Sequence, residues 1–127
     1  MMNHTISNKL KKYSGSEFTM TSINNICLGT VKLGIPDYGF SSSDNNNFNA
    51  IEFLKQVGEL GITGFDTSPR YGSSETILGK YFKHQKTKCN VSSKIDGLNY
   101  NDSNSKNMMI ESVKNSLNNL HVDYLDV

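Results

Sequence analysis

The sequence has few cysteines, little net charge and no long apolar segment. Its two cysteines belong to no CxxC or Cys–His spacing, so neither a disulfide framework nor a metal site is predicted. Thirteen Lys and Arg against twelve Asp and Glu leave a formal charge of +1. So small a charge gives no strong field for nucleic acid or an anionic membrane surface. We therefore expect neither partner.

The N-terminal segment lacks the features of a targeting sequence. Residues 1–21 are rich in Ser, Asn and Lys and have no sustained periodicity, which predicts a flexible tail ahead of one domain over residues 22–127. No apolar run follows the first lysines, and no stretch approaches the roughly 20 apolar residues of a membrane span. These features predict a cytoplasmic protein.

Short apolar runs and amphipathic stripes alternate from residue 23 onward. Runs of strand length cover residues 23–28, 62–65, 89–93 and 124–127. Helical stripes begin near residue 48, at residues 73–74 and after residue 105. The segment 31–47 carries Gly, Pro and a Ser/Asn run and predicts a loop. Both cysteines, Cys27 and Cys89, lie in strand runs, so we expect buried, reduced thiols.

This order of elements is typical of right-handed βαβ units on a parallel sheet, so the predicted fold class is α/β. An open doubly wound sheet and a closed (β/α)₈ barrel both have this order of strands and helices. The GxGxxG and GxxxxGK[ST] loops that bind nucleotide phosphates are absent, which favours the barrel. In both architectures the catalytic residues lie at the C-terminal ends of the strands.

Three residues at predicted strand ends could act together on a carbonyl group. Asp66 follows the second strand, Tyr71 lies five residues later, and Lys94 closes the third strand. A carboxylate near Lys94 would keep its ammonium charged, and this charge would stabilise the anion of a neighbouring phenol. Tyr71 could then give its proton to the oxygen of a carbonyl that accepts a hydride.

Four blocks in this order resemble the aldo-keto reductases. They are LGT at residues 28–30, GITGFDTSPRYGSSETILGKYF at 61–82, VSSKID at 91–96 and SLNNLHVDYLDV at 116–127. The resemblance implies that Tyr71 is the general acid, that Lys94 promotes loss of its proton, and that Asp66 is the partner of Lys94. It also implies NADP or NAD as cofactor, with Gly29, Thr30 and Asp66 beside it.

The resemblance further implies a small-molecule substrate, namely an aldehyde, a ketone or a sugar carbonyl, or an aldose oxidised in the reverse direction. LGTVKLGIPDYGF and DTSPRYG are most similar to members that act on sugars. The family has a catalytic histidine a few residues beyond the DYLDV block, and its main cofactor loops follow later strands. His121 precedes that block and should lie at the opposite rim of the sheet.

We therefore expect the N-terminal half of a (β/α)₈ barrel, about the first four strands and three helices. Such a half-barrel would leave strand edges and helix stripes exposed, which favours self-association. Two alternatives to an active reductase remain open at this point. One is an inactive remnant that keeps the three site residues, and the other is a half-barrel that needs a second chain for activity.

Overall fold

The structure of the chain is a computed structural model that describes residues 26–39, 48–86, 88–96 and 103–127. Several predicted features lie outside these residues. They are the tail over residues 1–21, the first residues of the predicted first strand at 23–25, and parts of two predicted loops at 40–47 and 97–102.

Three strands, each followed by one or two helices, lie along the described residues. In chain order they are β1 (Cys27–Gly29), α1 (Val31–Gly34), α2 (Ala50–Glu59), β2 (Gly64–Asp66), α3 (Ser74–Phe82), β3 (Asn90–Ser92) and α4 (Ser105–Leu120). The strands are parallel and lie in the order β1-β2-β3. The predicted α/β class and parallel sheet are therefore confirmed.

The two faces of the sheet differ in chemistry because side chains alternate along a strand. One face carries Leu28, Phe65 and Val91, which are neighbours in the register and pack into the core beneath the helices. The residues of the opposite face, here called the open face, are small or polar. They are Cys27, Gly29, Gly64, Asp66, Asn90 and Ser92.

This alternation corrects the prediction of two buried thiols. Cys27 is exposed and Cys89 is half-buried. The run Ile26-Cys27-Leu28 is apolar throughout, so its sequence does not show which residue faces the helices. In the structure Leu28 takes the core side, and Cys27 consequently lies on the open face. The Cys27 thiol keeps a raised pKa, chiefly through desolvation and then through the negative charge of Asp66.

Helix α2 begins and ends where its sequence signals predict. The Asn49 side chain caps its first turn by accepting hydrogen bonds from the backbone N–H groups of Ile51 and Glu52, both at 3.1 Å. Gly61 follows the helix with φ of +86°, the left-handed conformation that glycine adopts without strain. Leu54 and Val57 form its buried side.

Helix α3 is the central element of the helix layer, in contact with α1, α2 and α4. Leu78 is fully buried on it, and Tyr81 and Phe82 meet the ring of Phe65 edge-on at centroid distances of 5.8 and 5.4 Å. A Cβ on Gly79 would lie 2.1 Å from the Asn119 carbonyl oxygen. Glycine is therefore required for the close approach of α3 and α4.

The structure differs from the predicted elements at two places. The predicted loop after β1 contains one helical turn, α1, because Leu33 turns back to bond the Thr30 carbonyl and buries its side chain. The predicted fourth strand is not a regular strand. Asp126 donates its N–H to Val91 and Val127 accepts from Ser93, at 2.9 and 3.1 Å, so this segment runs beside β3 without a continuous ladder.

None of the helices in the described parts of the chain is long and apolar enough to cross a membrane.

Candidate active site

The structure brings Asp66 and Lys94 together at the C-terminal ends of β2 and β3. The Lys94 Nζ lies 2.9 and 3.1 Å from the two carboxylate oxygens of Asp66 and also donates to the Thr67 carbonyl oxygen at 2.9 Å. The two charged side chains are 47% and 43% exposed, so the pair is half-solvated. The ammonium is thus fixed by three acceptors on one strand end while its remaining side faces solvent.

Tyr71 joins this pair from the loop between β2 and α3. The Lys94 Nζ lies 5.0 Å from the centroid of the Tyr71 ring. Desolvation acts to lower the pKa of Lys94, but its hydrogen bonds to the Asp66 and Tyr71 side chains outweigh this effect, so the pKa lies above its ordinary value of 10.5. Lys94 is therefore a charged ammonium at neutral pH and not an amine nucleophile.

Backbone contacts of two glycines set the position of the Tyr71 loop. A Cβ on Gly34, at the end of α1, would lie 1.7 Å from the Tyr71 carbonyl oxygen. Gly72 has φ of +55°, and a Cβ there would lie 2.4 Å from the Gly34 carbonyl oxygen. Because neither position has room for a side chain, the end of α1 is in direct contact with the backbone of the Tyr71 loop.

A buried cluster of three hydroxyl groups lies behind the site. The Ser74 hydroxyl contacts the Thr30 hydroxyl at 2.8 Å and the Thr67 hydroxyl at 3.0 Å, and all three residues are at most 1% exposed. Thr30 also donates through its hydroxyl and its N–H to the Asp66 carbonyl oxygen, at 2.8 and 3.0 Å. The cluster joins the ends of β1 and β2 to the start of α3.

The hydroxyl cluster was not foreseen from the sequence. Of the two serines at the predicted start of α3, Ser73 occupies the N-cap without a side-chain bond, whereas the Ser74 hydroxyl donates to the Thr30 carbonyl oxygen next to β1. The only local signal is the crowding of Thr and Ser between Asp66 and Glu75. The partner, Thr30, is 44 residues away from Ser74.

The three residues predicted to lie beside a cofactor face different ways. Gly29 is paired with Asp66 in the register, and a Cβ on it would meet no atom within 4 Å, so it borders free space on the open face. Asp66 presents its carboxylate on the same face. Thr30 is 1% exposed and its hydroxyl is held by the buried cluster. The Thr30 side chain therefore supports Asp66 from behind, and a direct contact from its hydroxyl to a cofactor does not fit.

Two further residues do not belong to the site, and one of them, His121, lies at the rim predicted for it. Arg70 is outside the site, with its exposed guanidinium paired to Asp96 rather than to the phenol or the ammonium. His121 lines a cavity with Cys89, at the N-terminal end of β3, which is the rim opposite Lys94.

The architecture agrees with comparisons to known proteins. The sequence model described as "Aldo/keto reductase family" matches residues 25–127. The chain belongs to the aldo-keto reductase family. This membership supports an oxidoreductase function, and it is consistent with the NAD(P)H that aldo-keto reductases generally use.

Individual aldo-keto reductase relatives cover most of this chain. L-galactose dehydrogenase from Arabidopsis thaliana is 30% identical over 126 residues, which cover 85% of this chain and 38% of that protein. Two solved structures of Pseudomonas aeruginosa proteins assigned to the aldo-keto reductases have TM-scores of 0.59 and 0.57. Each is 30% identical and covers 78% of this chain and 37% or 38% of its own.

The chain thus spans less than half the length of these relatives. The solved relatives are (β/α)₈ barrels, so the described sheet and helices form part of such a barrel. The open face is then the side of the sheet that a closed barrel turns inward.

Proposed function

We propose that this aldo-keto reductase sequence serves NAD(P)H-dependent reduction of an aldehyde, a ketone or a sugar carbonyl, or the reverse oxidation of an aldose. The observation that carries the proposal is the Lys94 ammonium, bound to Asp66 at 2.9 Å and lying 5.0 Å from the Tyr71 ring. A carboxylate, an ammonium and a phenol that lie close together in this way are suited to proton donation.

Each residue of the trio has a distinct role in the proposed reaction. Tyr71 donates its hydroxyl proton to the substrate oxygen, so that the carbonyl becomes an alcohol as its carbon gains a hydride. Lys94 stabilises the phenolate left on Tyr71 by its positive charge. Asp66 keeps Lys94 charged and fixes it in place. A bound NAD(P)H supplies the hydride.

The residues present fit the nicotinamide end of such a cofactor. Gly29 leaves free space beside the Asp66 carboxylate, and that carboxylate has lone pairs available beyond its bonds to Lys94. Together they can accept a flat ring and hydrogen-bond a ribose hydroxyl. Whether NADP or NAD is preferred depends on the other end of the dinucleotide, for which we assign no residue of this chain.

The substrate is proposed to be a small carbonyl compound rather than a macromolecule. The side chains of Asp66 and Lys94 are about half-exposed, and Tyr71 is half-buried. The relative from Arabidopsis thaliana is an L-galactose dehydrogenase, which makes an aldose a reasonable first substrate to test. The cytoplasmic location and the absence of nucleic acid and membrane partners stay predictions from the sequence.

Titration of the chain with NADPH and NADH, followed by turnover of a generic aldehyde and of L-galactose, tests the proposal. Tyr71→Phe should abolish turnover and leave the fluorescence change on cofactor binding intact, because only the transferable proton is lost. Tyr38→Phe is a matched control, since Tyr38 is an exposed tyrosine of the same chain. Turnover that survives in Tyr71→Phe removes Tyr71 from the acid role.

The second candidate function is a half-barrel that associates with another copy or another chain. It is favoured by large apolar side chains exposed near the sheet, among them Ile26 at 46% and Ile95 at 40%. Analytical ultracentrifugation tests it. Association that raises cofactor affinity supports shared completion of the site, whereas a monomer that binds cofactor at all concentrations excludes it.

A further inference from the structure

Glu75 is a buried carboxylate that the proposed reaction does not use. It is the second residue of α3, and only 3% of it is exposed. Its Oε1 accepts a hydrogen bond from the Ser93 hydroxyl at 2.7 Å, and its Oε2 accepts one from the Asn119 amide at 3.1 Å. Burial of a carboxylate is costly, although the positive end of α3 reduces the cost. A packing role alone would be served better by an apolar side chain.

The Ser93 contact connects this carboxylate to the segment that carries the ammonium. β3 ends at Ser92, Ser93 follows, and Lys94 is the next residue. The Ser93 N–H donates to the Val127 carbonyl oxygen at 3.1 Å while its hydroxyl donates to Glu75, so Ser93 is held on two sides. The direction in which the chain leaves β3 is set here.

Glu75 also follows closely on the phenol. It lies four positions after Tyr71, within the first turn of α3, and the N–H of Ser74 bonds the Tyr71 carbonyl oxygen at 3.0 Å. The bond between Ser93 and Glu75 therefore joins the ammonium segment to the helix start that follows Tyr71. Pairing between β2 and β3 cannot make this connection, because Tyr71 lies in the loop after β2 and not in the sheet.

We propose that Glu75 is a positioning residue, which fixes Ser93 and thereby holds Lys94 between Asp66 and Tyr71. This inference rests on the proposed function. The Asn119 bond ties the second oxygen of Glu75 to α4 and steadies the carboxylate from the helix side. The two bonds of Glu75 thus have different consequences, one for the ammonium and one for helix packing, and they can be separated by mutation.

Ser93→Ala removes the hydroxyl that contacts Glu75, Ser93→Thr keeps a hydroxyl, and Asn119→Ala removes the other bond. NMR of protein labelled with ¹³C at the lysine ε-carbon reports the pKa of Lys94 in each. We expect this pKa to fall toward 10.5 in Ser93→Ala, to recover in Ser93→Thr and to stay raised in Asn119→Ala. Turnover should fall about 10- to 100-fold in kcat with KM unchanged in Ser93→Ala alone.

The titration separates failure of this inference from failure of the proposed function. An ordinary pKa of Lys94 in the unmutated chain removes the basis of both. A raised pKa that Ser93→Ala leaves unchanged overturns the positioning role only, as does an equal loss in Asn119→Ala. If Ser93→Ala does not fold, Glu75→Asp replaces it, because its shorter carboxylate withdraws from Ser93 and Asn119 without a change of charge. Asn119→Ala then shows how much of the change in the Lys94 pKa comes from the Asn119 bond, and a fall no larger than in Asn119→Ala overturns the positioning role.

Discussion

Replacement of Gly34 by alanine should destabilise the protein more than replacement of a glycine whose added Cβ would meet no other atom. The new Cβ would lie 1.7 Å from the Tyr71 carbonyl oxygen, 2.5 Å from the Ser74 nitrogen and 2.8 Å from the Ser73 nitrogen. All three are backbone atoms, which cannot rotate away as a flexible side chain can. Overpacking typically costs 1–3 kcal/mol, so we expect about 3 kcal/mol for Gly34→Ala.

Two other glycines provide a graded control for this prediction. Gly29→Ala meets no atom within 4 Å, so its free energy of unfolding should stay within about 0.5 kcal/mol of the original. Gly61→Ala also meets no atom, but its φ of +86° imposes left-handed strain of about 1 kcal/mol. Urea unfolding measures all three, and thermal unfolding should show a fall on the order of 10 °C for Gly34→Ala. Equal stability of Gly34→Ala and Gly29→Ala would refute the close approach of α1 to the Tyr71 loop.

Three further predictions concern the core, the ion pair and the hydroxyl cluster. Phe65→Ala should lower the free energy of unfolding by about 3–5 kcal/mol in urea, because Phe65 is fully buried against two rings. Asp66→Asn should cost only about 0.2–1 kcal/mol near neutral pH, because the pair is half-exposed. Because the pKa of Lys94 is raised in the folded state, its charged form stabilises the fold below pH 10.5. The difference in unfolding free energy between Asp66→Asn and the original chain should therefore vanish once the pH exceeds the folded-state pKa of Lys94. Urea unfolding at neutral pH and above that pKa checks this. Ser74→Ala should cost about 1–3 kcal/mol by leaving buried hydroxyls unpaired. Its neighbour Ser73, which caps without a side-chain bond, should tolerate alanine, and equal losses at the two serines would contradict the cluster.

The parts of the fold that follow from local patterns could be predicted from the sequence. The apolar stripe from residue 48 and Gly61 are typical of a helix and of its end, and α2 is found between them, with Asn49 as its cap. The strand ends were close to those observed, so the position of Asp66 and Lys94 on one rim of the sheet followed from parallel topology alone. That argument needs only the order of the strands and no knowledge of side-chain packing.

Other features depend on contacts between distant segments and left no local pattern. Helix α1 is a single turn, stabilised by burial of Leu33 and by the approach of Gly34 to the Tyr71 loop 37 residues later. Cys27 was assigned to the wrong face because both of its neighbours are apolar. The Thr30–Ser74 bond joins residues whose relation appears only when β1 and α3 are adjacent.

The core of the described residues lies on one face of the sheet only, and this affects how the chain can fold as it is synthesised. Each strand pairs with the strand before it, and α3 packs on helices that precede it. A nascent chain can therefore bury Leu28 against Phe65 once α3 has left the ribosome, before β3 has emerged. Because the residues on the open face are small or polar, such an intermediate exposes little apolar surface on that face while later strands and helices are added.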